Sequence, residues 1–131
     1  MIEQHEALQT LVEACPELNN EVQEHIAEYG NELLYVAAEA IANRLLVLHR
    51  QRATAHLQAI AAAIEQLHVS GTPWVKEFAT VGLLEGIQNV WASSGANPED
   101  FAQYLQPESR RWWEGLNRFW SGQAPTVKGE A

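Results

Sequence analysis

Residues 33–50 read LLYVAAEAIANRLLVLHR and carry a dense helical pattern. Their apolar residues recur at spacings of three and four, which is the period of an α-helix. A first apolar face consists of Leu34, Ala38, Ile41, Leu45 and Leu48, and a second consists of Leu33, Val36, Ala40 and Val47. Because a helix that is apolar on two sides must be covered on both, we expect this helix to be central in the fold.

Prolines and glycines divide the rest of the chain into further helices. Proline at the first helical position costs little, because its missing N–H would have no intrahelical acceptor, and glycine favours helix ends. The predicted starts are at Pro16, Pro73, Pro98 and Pro107, and the predicted ends are at Gly30, Gly71, Gly95 and Gly122. The polar string at residues 49–53 predicts a break between two helices. No segment alternates apolar and polar residues for long, as a half-buried strand would.

The sequence therefore predicts an all-α fold, a single-domain bundle of about six helices with short turns. The helical domain is expected over residues 1–122 and a flexible C-terminal tail over residues 123–131. In the segment from Pro73 to Ser93, Gly82 and Gly86 lie one turn apart. Glycine is costly inside a helix, so this pair predicts that a neighbouring backbone packs closely against it.

The negative charge of the chain is concentrated in its first third. Residues 1–43 contain nine glutamates and no lysine or arginine, whereas the eight acids and eight bases that follow cancel, for a net charge of −9. A localised negative surface attracts a basic protein and repels nucleic acid and anionic membranes. No apolar run approaches the roughly 20 residues of a membrane helix. We therefore expect a basic protein partner, no nucleic acid and no membrane.

Four of these glutamates form a stripe. Glu17, Glu21, Glu24 and Glu28 are spaced four, three and four residues apart, which places them on one face of the second predicted helix. One interpretation is a solvated surface, and the other is a docking surface for a basic protein. The candidate partner-binding residues are Glu13, Glu17, Glu21, Glu24, Glu28, Tyr29 and Glu32.

The sequence contains no convincing catalytic or metal-binding motif. Glu65 and His68 form a single Glu-x-x-His, whereas a helical di-iron site needs two copies and two further glutamates. His49 and His56 have no third ligand. We therefore expect no catalytic residues, no metal, no cofactor and no enzymatic activity.

Two isolated side chains have simpler interpretations. Cys15 stands alone and falls on an apolar stripe, so it is expected to be a small core residue in a cytoplasmic protein. His25 lies between Glu21 and Glu28 and is expected to be a surface histidine paired with an acid.

The aromatic residues are concentrated in the opposite half of the chain. Nine of the eleven follow Thr72, and helically spaced aromatics usually form a core. Trp112 and Trp113 are adjacent, about 100° apart around a helix, so either one of the two is an exposed contact residue or Arg110 or Arg111 lies over its ring. This half of the chain also supports an alternative function, a helical adaptor or regulatory subunit that binds another protein through its aromatic helices.

The strings EFATVGLLEGIQN, residues 77–89, and FAQYLQPESRRWWEGLNRFWSG, residues 101–122, resemble a family of short, mostly uncharacterised helical bacterial proteins associated with polymorphic-toxin immunity. The matching residues are Val81, Gly82, Leu84, Glu85, Gln88, Asn89, Tyr104, Leu105, Pro107, Glu108, Ser109, Trp112, Trp113, Phe119 and Trp120. The resemblance implies a cytoplasmic immunity protein that binds one secreted toxin and covers its active surface. It carries over no family site. The acidic helical face would then dock on a basic toxin domain.

Overall fold

The computed structural model describes residues 1–122 and Val127, so the predicted tail lies outside the described residues except for Val127. The α-helices are α1 Ala7–Ala14, α2 Asn19–Tyr29, α3 Leu34–Arg50, α4 Thr54–Ser70, α5 Pro73–Glu77, α6 Glu85–Ser93, α7 Glu99–Ala102 and α8 Pro107–Trp120. Short 3-10 helices, Gln4–Glu6 and Pro16–Leu18, precede α1 and α2, and a π-helix, Phe78–Leu84, joins α5 to α6. Among these residues the only β-type contact is an isolated bridge between Ile2 and Gly71. The predicted all-α bundle is confirmed.

Most helix boundaries follow the predicted punctuation. Pro73 and Pro107 lie in the first turns of α5 and α8, and the Thr72 hydroxyl accepts a hydrogen bond from the Val75 N–H at 3.3 Å. Gly30 follows α2 with a positive φ of 63°, a conformation that glycine adopts without steric cost. The predicted break after Arg50 is present, since α4 begins only at Thr54.

One face of α3 forms the centre of the core. Its residues Leu34, Ala38, Ile41, Leu45 and Leu48 are all buried. They pack against α2, α4, the π-helix and α6. The indole Nε1 of Trp91 donates a hydrogen bond to the Ala42 carbonyl at 3.2 Å and so ties α6 to α3.

The second apolar face of α3 is not covered, and the prediction that both faces are buried is wrong. Leu33, Val36 and Val47 are 58%, 51% and 39% exposed. The helices that flank α3 leave this side open. On one flank Arg44 bonds to α2, and on the other Tyr35 faces the π-helix and α6.

The two glycines in the π-helix and α6 have different roles. A Cβ at Gly82 would lie 2.8 Å from Cδ1 of the buried Phe78, a ring of the same helical segment. A Cβ at Gly86 would lie 3.8 Å from the Ala38 carbonyl oxygen of α3, which is ordinary van der Waals contact. The expected close backbone is therefore found only beside Gly86, where it still leaves room for a methyl group.

This difference predicts opposite effects of the same substitution. Gly82→Ala is expected to lower the free energy of unfolding by about 1–3 kcal/mol, because the Phe78 ring must shift in a packed core. Gly86→Ala is expected to raise it by up to about 1 kcal/mol, since alanine favours the helix. Urea unfolding followed by circular dichroism measures both, and equal effects would contradict the steric account.

Candidate functional site

The predicted acidic stripe is divided between several environments. Glu21 turns towards α3, where its carboxylate accepts a hydrogen bond from Arg44 Nε at 2.7 Å and its side chain is only 16% exposed. Glu17 lies in the 3-10 helix before α2, with its carboxylate 3.3 Å from His56 Nε2. Glu24 and Glu28 remain exposed on α2. The negative charge of Glu28 raises the pKa of the neighbouring Tyr29 phenol.

The other candidate residues are distributed around α2. Glu13 is exposed on α1, near Gln9, and borders a depression between α1 and α4. It therefore lies apart from the acids of α2. Glu32 is exposed in the turn between α2 and α3, and its backbone carbonyl accepts a hydrogen bond from His25 Nε2 at 2.7 Å. The ring of half-buried Tyr29 lies 5.0 Å from the His25 ring.

The environment of His25 corrects its expected role. His25 is buried, and its Nε2 bonds to a backbone carbonyl rather than to a carboxylate. The prediction of a surface histidine paired with an acid is wrong. The positions of Leu18, Val22 and His25 around α2 explain this, because they share the side of the helix that faces the core.

Acidic and apolar side chains share one surface along α2 and α3. Glu24 and Glu28 lie three and seven residues after Glu21, so they share its face, and Glu21 reaches α3 through Arg44. The exposed turn then adds Glu32 and Leu33, and α3 adds Val36, Glu39 and Val47. We call Glu24, Glu28, Glu32, Leu33, Val36, Glu39 and Val47 the α2–α3 surface. Leu33 and Val36 lie beside the acids Glu32 and Glu39, whereas exposed Asn43 separates Val36 from Val47, which has Arg44 and Arg50 as helical neighbours.

A groove adjoins this surface at Glu39. Tyr35 and Glu39 of α3 form one wall of a cavity of about 350 Å³, and Val81, Glu85 and Asn89 form the opposite wall. We call this cavity the Tyr35 groove. Burial raises the pKa of the Glu85 carboxyl. The pKa of the Tyr35 phenol is also raised, first by burial and then by the charges of Glu77 and Glu85.

The Glu-x-x-His pair forms a buried polar network between α4 and α8. The Glu65 carboxylate accepts hydrogen bonds from the backbone N–H groups of Glu108 at 3.1 Å and Ser109 at 2.9 Å, and from the Ser109 hydroxyl at 2.9 Å. These N–H groups belong to the first turn of α8, where no intrahelical acceptor exists and a negative charge is favourable. Glu65 therefore caps α8 from another helix.

His68 extends the network to the π-helix. Its Nδ1 lies 2.8 Å from the Ser109 hydroxyl, and its Nε2 lies 2.8 Å from the Thr80 hydroxyl. The Ser109 proton is donated to Glu65, so Nδ1–H must donate to Ser109, and Nε2 must accept from Thr80. Burial lowers the pKa of His68 to about 4, which keeps the imidazole neutral near pH 7.

This order of groups differs from a catalytic triad. In a triad the carboxylate orients the histidine, which in turn accepts the proton of the nucleophile. Here the carboxylate of Glu65 bonds to Ser109, Ser109 is fully buried, and His68 has too low a pKa to act as a base near pH 7. The arrangement suits a structural connection between three helical segments.

A second cavity, of about 520 Å³, lies beside this network. Its lining includes His68, Thr80, Lys76, Trp112 and Val127. Val127 is half-buried against the core, so this residue of the predicted tail does have an apolar contact. Trp112 is half-buried as well.

The other aromatic candidates of α8 have distinct environments. Trp113 is buried and donates a hydrogen bond to Glu99 at 2.6 Å. Trp120, at the end of α8, is 57% accessible and is more exposed than Trp112 and Trp113. The adjacency of Trp112 and Trp113 in the sequence gave no indication that Trp120 is exposed.

The candidate metal ligands and the thiol are engaged elsewhere. His49 stacks on Trp91 and lies 3.5 Å from Asp100. Within residues 1–122 and Val127, no group of three or more His, Cys, Asp or Glu side chains is placed to hold a metal ion. Burial, and then the charge of Glu17, raise the pKa of Cys15 to about 11, so its thiol stays protonated.

These features define an all-α protein with an exposed apolar surface bordered by acids. Residues 8–121 match the model of a domain of unknown function, DUF7674, and the chain belongs to this family. No curated protein and no solved structure matches the chain. The family description assigns no function, so the resemblance to toxin-immunity proteins stays a prediction. Among the described residues, no helix combines the length and apolar character that crossing a membrane requires.

Removing the Glu65 cap is expected to destabilise the fold. Glu65→Ala leaves three buried donors without their acceptor and should lower the free energy of unfolding by roughly 3–5 kcal/mol. Glu65→Gln keeps one acceptor oxygen and should cost about 1–2 kcal/mol. Exposed Glu114 of α8 provides the matched control, Glu114→Ala, with an expected change within about 0.5 kcal/mol. Urea unfolding measures all three, and equal losses at both positions would contradict the capping role.

The lowered pKa of His68 predicts that the folded protein loses stability in acid. Its pKa falls from 6.5 to about 4 on folding, so the unfolded chain binds the proton first as the pH is lowered. This contribution to stability is fully present above pH 6.5 and is lost as the pH falls through about 4, a change of about 3 kcal/mol. We expect His68→Gln to flatten the pH dependence over this range, as measured by urea unfolding.

Exposed His5 provides the control variant, His5→Gln, for this experiment. The pH dependence of His5→Gln should match that of the unsubstituted protein. An unchanged pH dependence in His68→Gln would contradict the assignment to His68.

Proposed function

We propose that this protein is a bacterial immunity protein that binds a cognate secreted toxin in the cytoplasm and neutralises it by covering its active surface. The α2–α3 surface is the docking face. The observation that carries the proposal is the exposure of Leu33 and Val36 at the start of α3, with the exposed acids Glu32 and Glu39 beside them.

The apolar part of the surface favours a protein partner. Leu33 and Val36 are both substantially exposed and lie within one helical turn of each other, and Val47 is exposed three turns further along α3. Neighbouring exposed apolar side chains with a polar rim are typical of interaction sites. Burying them against a partner would release free energy at about 25 cal/mol per Å² of apolar surface.

The backbone at Leu33 supports the same interpretation. Leu33 has φ 51°, in the left-handed region, which costs a residue with a Cβ about 1–2 kcal/mol. The fold therefore holds a strained residue whose side chain points to solvent instead of filling the core. Strained residues are concentrated at binding and switch sites, which makes Leu33 a candidate contact.

The charges favour a basic partner. Glu32 and Glu39 lie beside the exposed apolar side chains at the start of α3, and Glu24 and Glu28 are exposed on α2. Arg44 lies between α3 and α2 with its side chain 39% exposed, and its guanidinium is paired with Glu21. A toxin that acts on nucleic acid needs a basic cleft to hold phosphates, and an acidic surface would be attracted to such a cleft. Steering of this kind speeds capture, which suits an antidote.

A helical adaptor or regulatory subunit is the second candidate function. The exposed Trp120 favours it, because a tryptophan at the end of α8 would provide an aromatic contact for another protein. Co-expression with the toxin encoded beside the gene separates the two proposals. An immunity protein restores growth and an adaptor does not.

Charge reversal on the α2–α3 surface tests the docking face. The double variant Glu24→Lys with Glu28→Lys is expected to weaken toxin binding at least tenfold, mainly through a slower association rate, and to reduce its dependence on salt. Biolayer interferometry at several salt concentrations measures both effects. The control is Glu13→Lys with Glu114→Lys, which reverses two exposed acids outside the surface. Equal affinity of the two double variants would contradict the proposed face.

A further inference from the structure

We infer that the Tyr35 groove binds an arginine side chain of a protein partner, with the guanidinium held between the carboxylates of Glu39 and Glu85. The inference rests on the proposed function, since the arginine belongs to the protein docked on the α2–α3 surface. It identifies the groove as a specific anchor point within that wider contact.

The helical spacing explains the shape of the groove. Tyr35 and Glu39 lie one turn apart on α3, and Val81, Glu85 and Asn89 follow one another at intervals of four on the opposite wall. Gly82 and Gly86 also line the cavity. The result is a cavity of about 350 Å³ with one carboxylate on each wall.

The charges in the groove favour a cation. Among the described residues, no lysine or arginine lines the cavity, and neither the Glu39 nor the Glu85 carboxylate takes part in an ion pair or a side-chain hydrogen bond. Glu85 is half-buried, so its anion is partly removed from water without a countercharge. A bound cation would compensate for this desolvation, because opposite charges attract more strongly in a partly dry site.

The chemistry favours arginine over lysine. A planar guanidinium has five N–H donors, so it can donate to two carboxylates on opposite walls at once, whereas an ammonium acts as a point charge. A guanidinium also stacks on aromatic rings. The Tyr35 ring is held in position by edge contacts with Trp74 at 6.1 Å and Phe78 at 5.6 Å.

The groove is continuous with the proposed docking face. Glu39 belongs to both, and it lies three residues after Val36, on the adjacent part of α3. A partner that covers Val36 therefore has its neighbouring side chains within reach of the groove. An arginine beside an apolar contact residue would fit both features.

NMR titration of the ¹⁵N-labelled protein with N-acetyl-arginine methylamide tests the groove without any partner. We expect shifts at the amides of Tyr35, Glu85 and Asn89, and at least tenfold weaker binding of the neutral citrulline analogue. Glu39→Gln and Glu85→Gln should each weaken arginine binding about fivefold or more. Glu114→Gln, an exposed acid on α8, should leave it unchanged. Equal binding of the citrulline analogue, or of the lysine analogue, would overturn the inference.

A binding measurement with the toxin separates this inference from the proposed function. If toxin binds and the double variant Glu39→Gln with Glu85→Gln weakens it tenfold or more, the groove is an anchor of that interface. If toxin binds the double variant as tightly as the unsubstituted protein, the inference fails while the proposed function stands. If the toxin is not neutralised but the arginine analogue binds with the predicted selectivity, the proposed function fails and the arginine site stands.

Discussion

The helix α3 is enclosed by α2, α4, the π-helix and α6 on its inner side, and its outer side meets solvent. An apolar helical face must be covered to contribute to folding, and the helices that flank α3 cover only one of its two faces. The docking surface and the groove proposed above depend on this constraint. The outer face provides the exposed apolar residues of the α2–α3 surface, and the edge at Tyr35 and Glu39 provides one wall of the groove.

The buried network around Glu65 secures the other half of the fold. A carboxylate on α4 satisfies the first N–H groups of α8, and His68 links both to Thr80 in the π-helix. A buried carboxylate is favourable only when donors surround it, and here three donors do so. A Glu-x-x-His sequence also occurs in helical metal sites. Here Glu65 and His68 instead connect helices, because their partners are a helix N-terminus and two hydroxyls.

Local patterns were sufficient to predict the fold class and most helix boundaries. Pro73, Pro107 and Gly30 act through their own backbone geometry, which does not depend on distant residues. The environments of individual side chains were not predictable in this way. The pairing of Glu21 with Arg44 joins residues 23 positions apart, and the contact of Glu65 with Ser109 joins residues 44 positions apart. Such contacts depend on how the helices pack, which periodicity does not specify.

The candidate site was likewise predictable only in its local features. Charge and spacing pointed to the acids of α2, but they could not show that Glu21 is neutralised, that Glu13 lies elsewhere, or that acids border an exposed apolar face. Under the proposed function, this last feature favours the docking interpretation of the stripe over the solvated one. A purely solvated acidic face gains nothing from exposed leucine and valine side chains beside it, whereas a docking face uses them for affinity and uses the acids for steering.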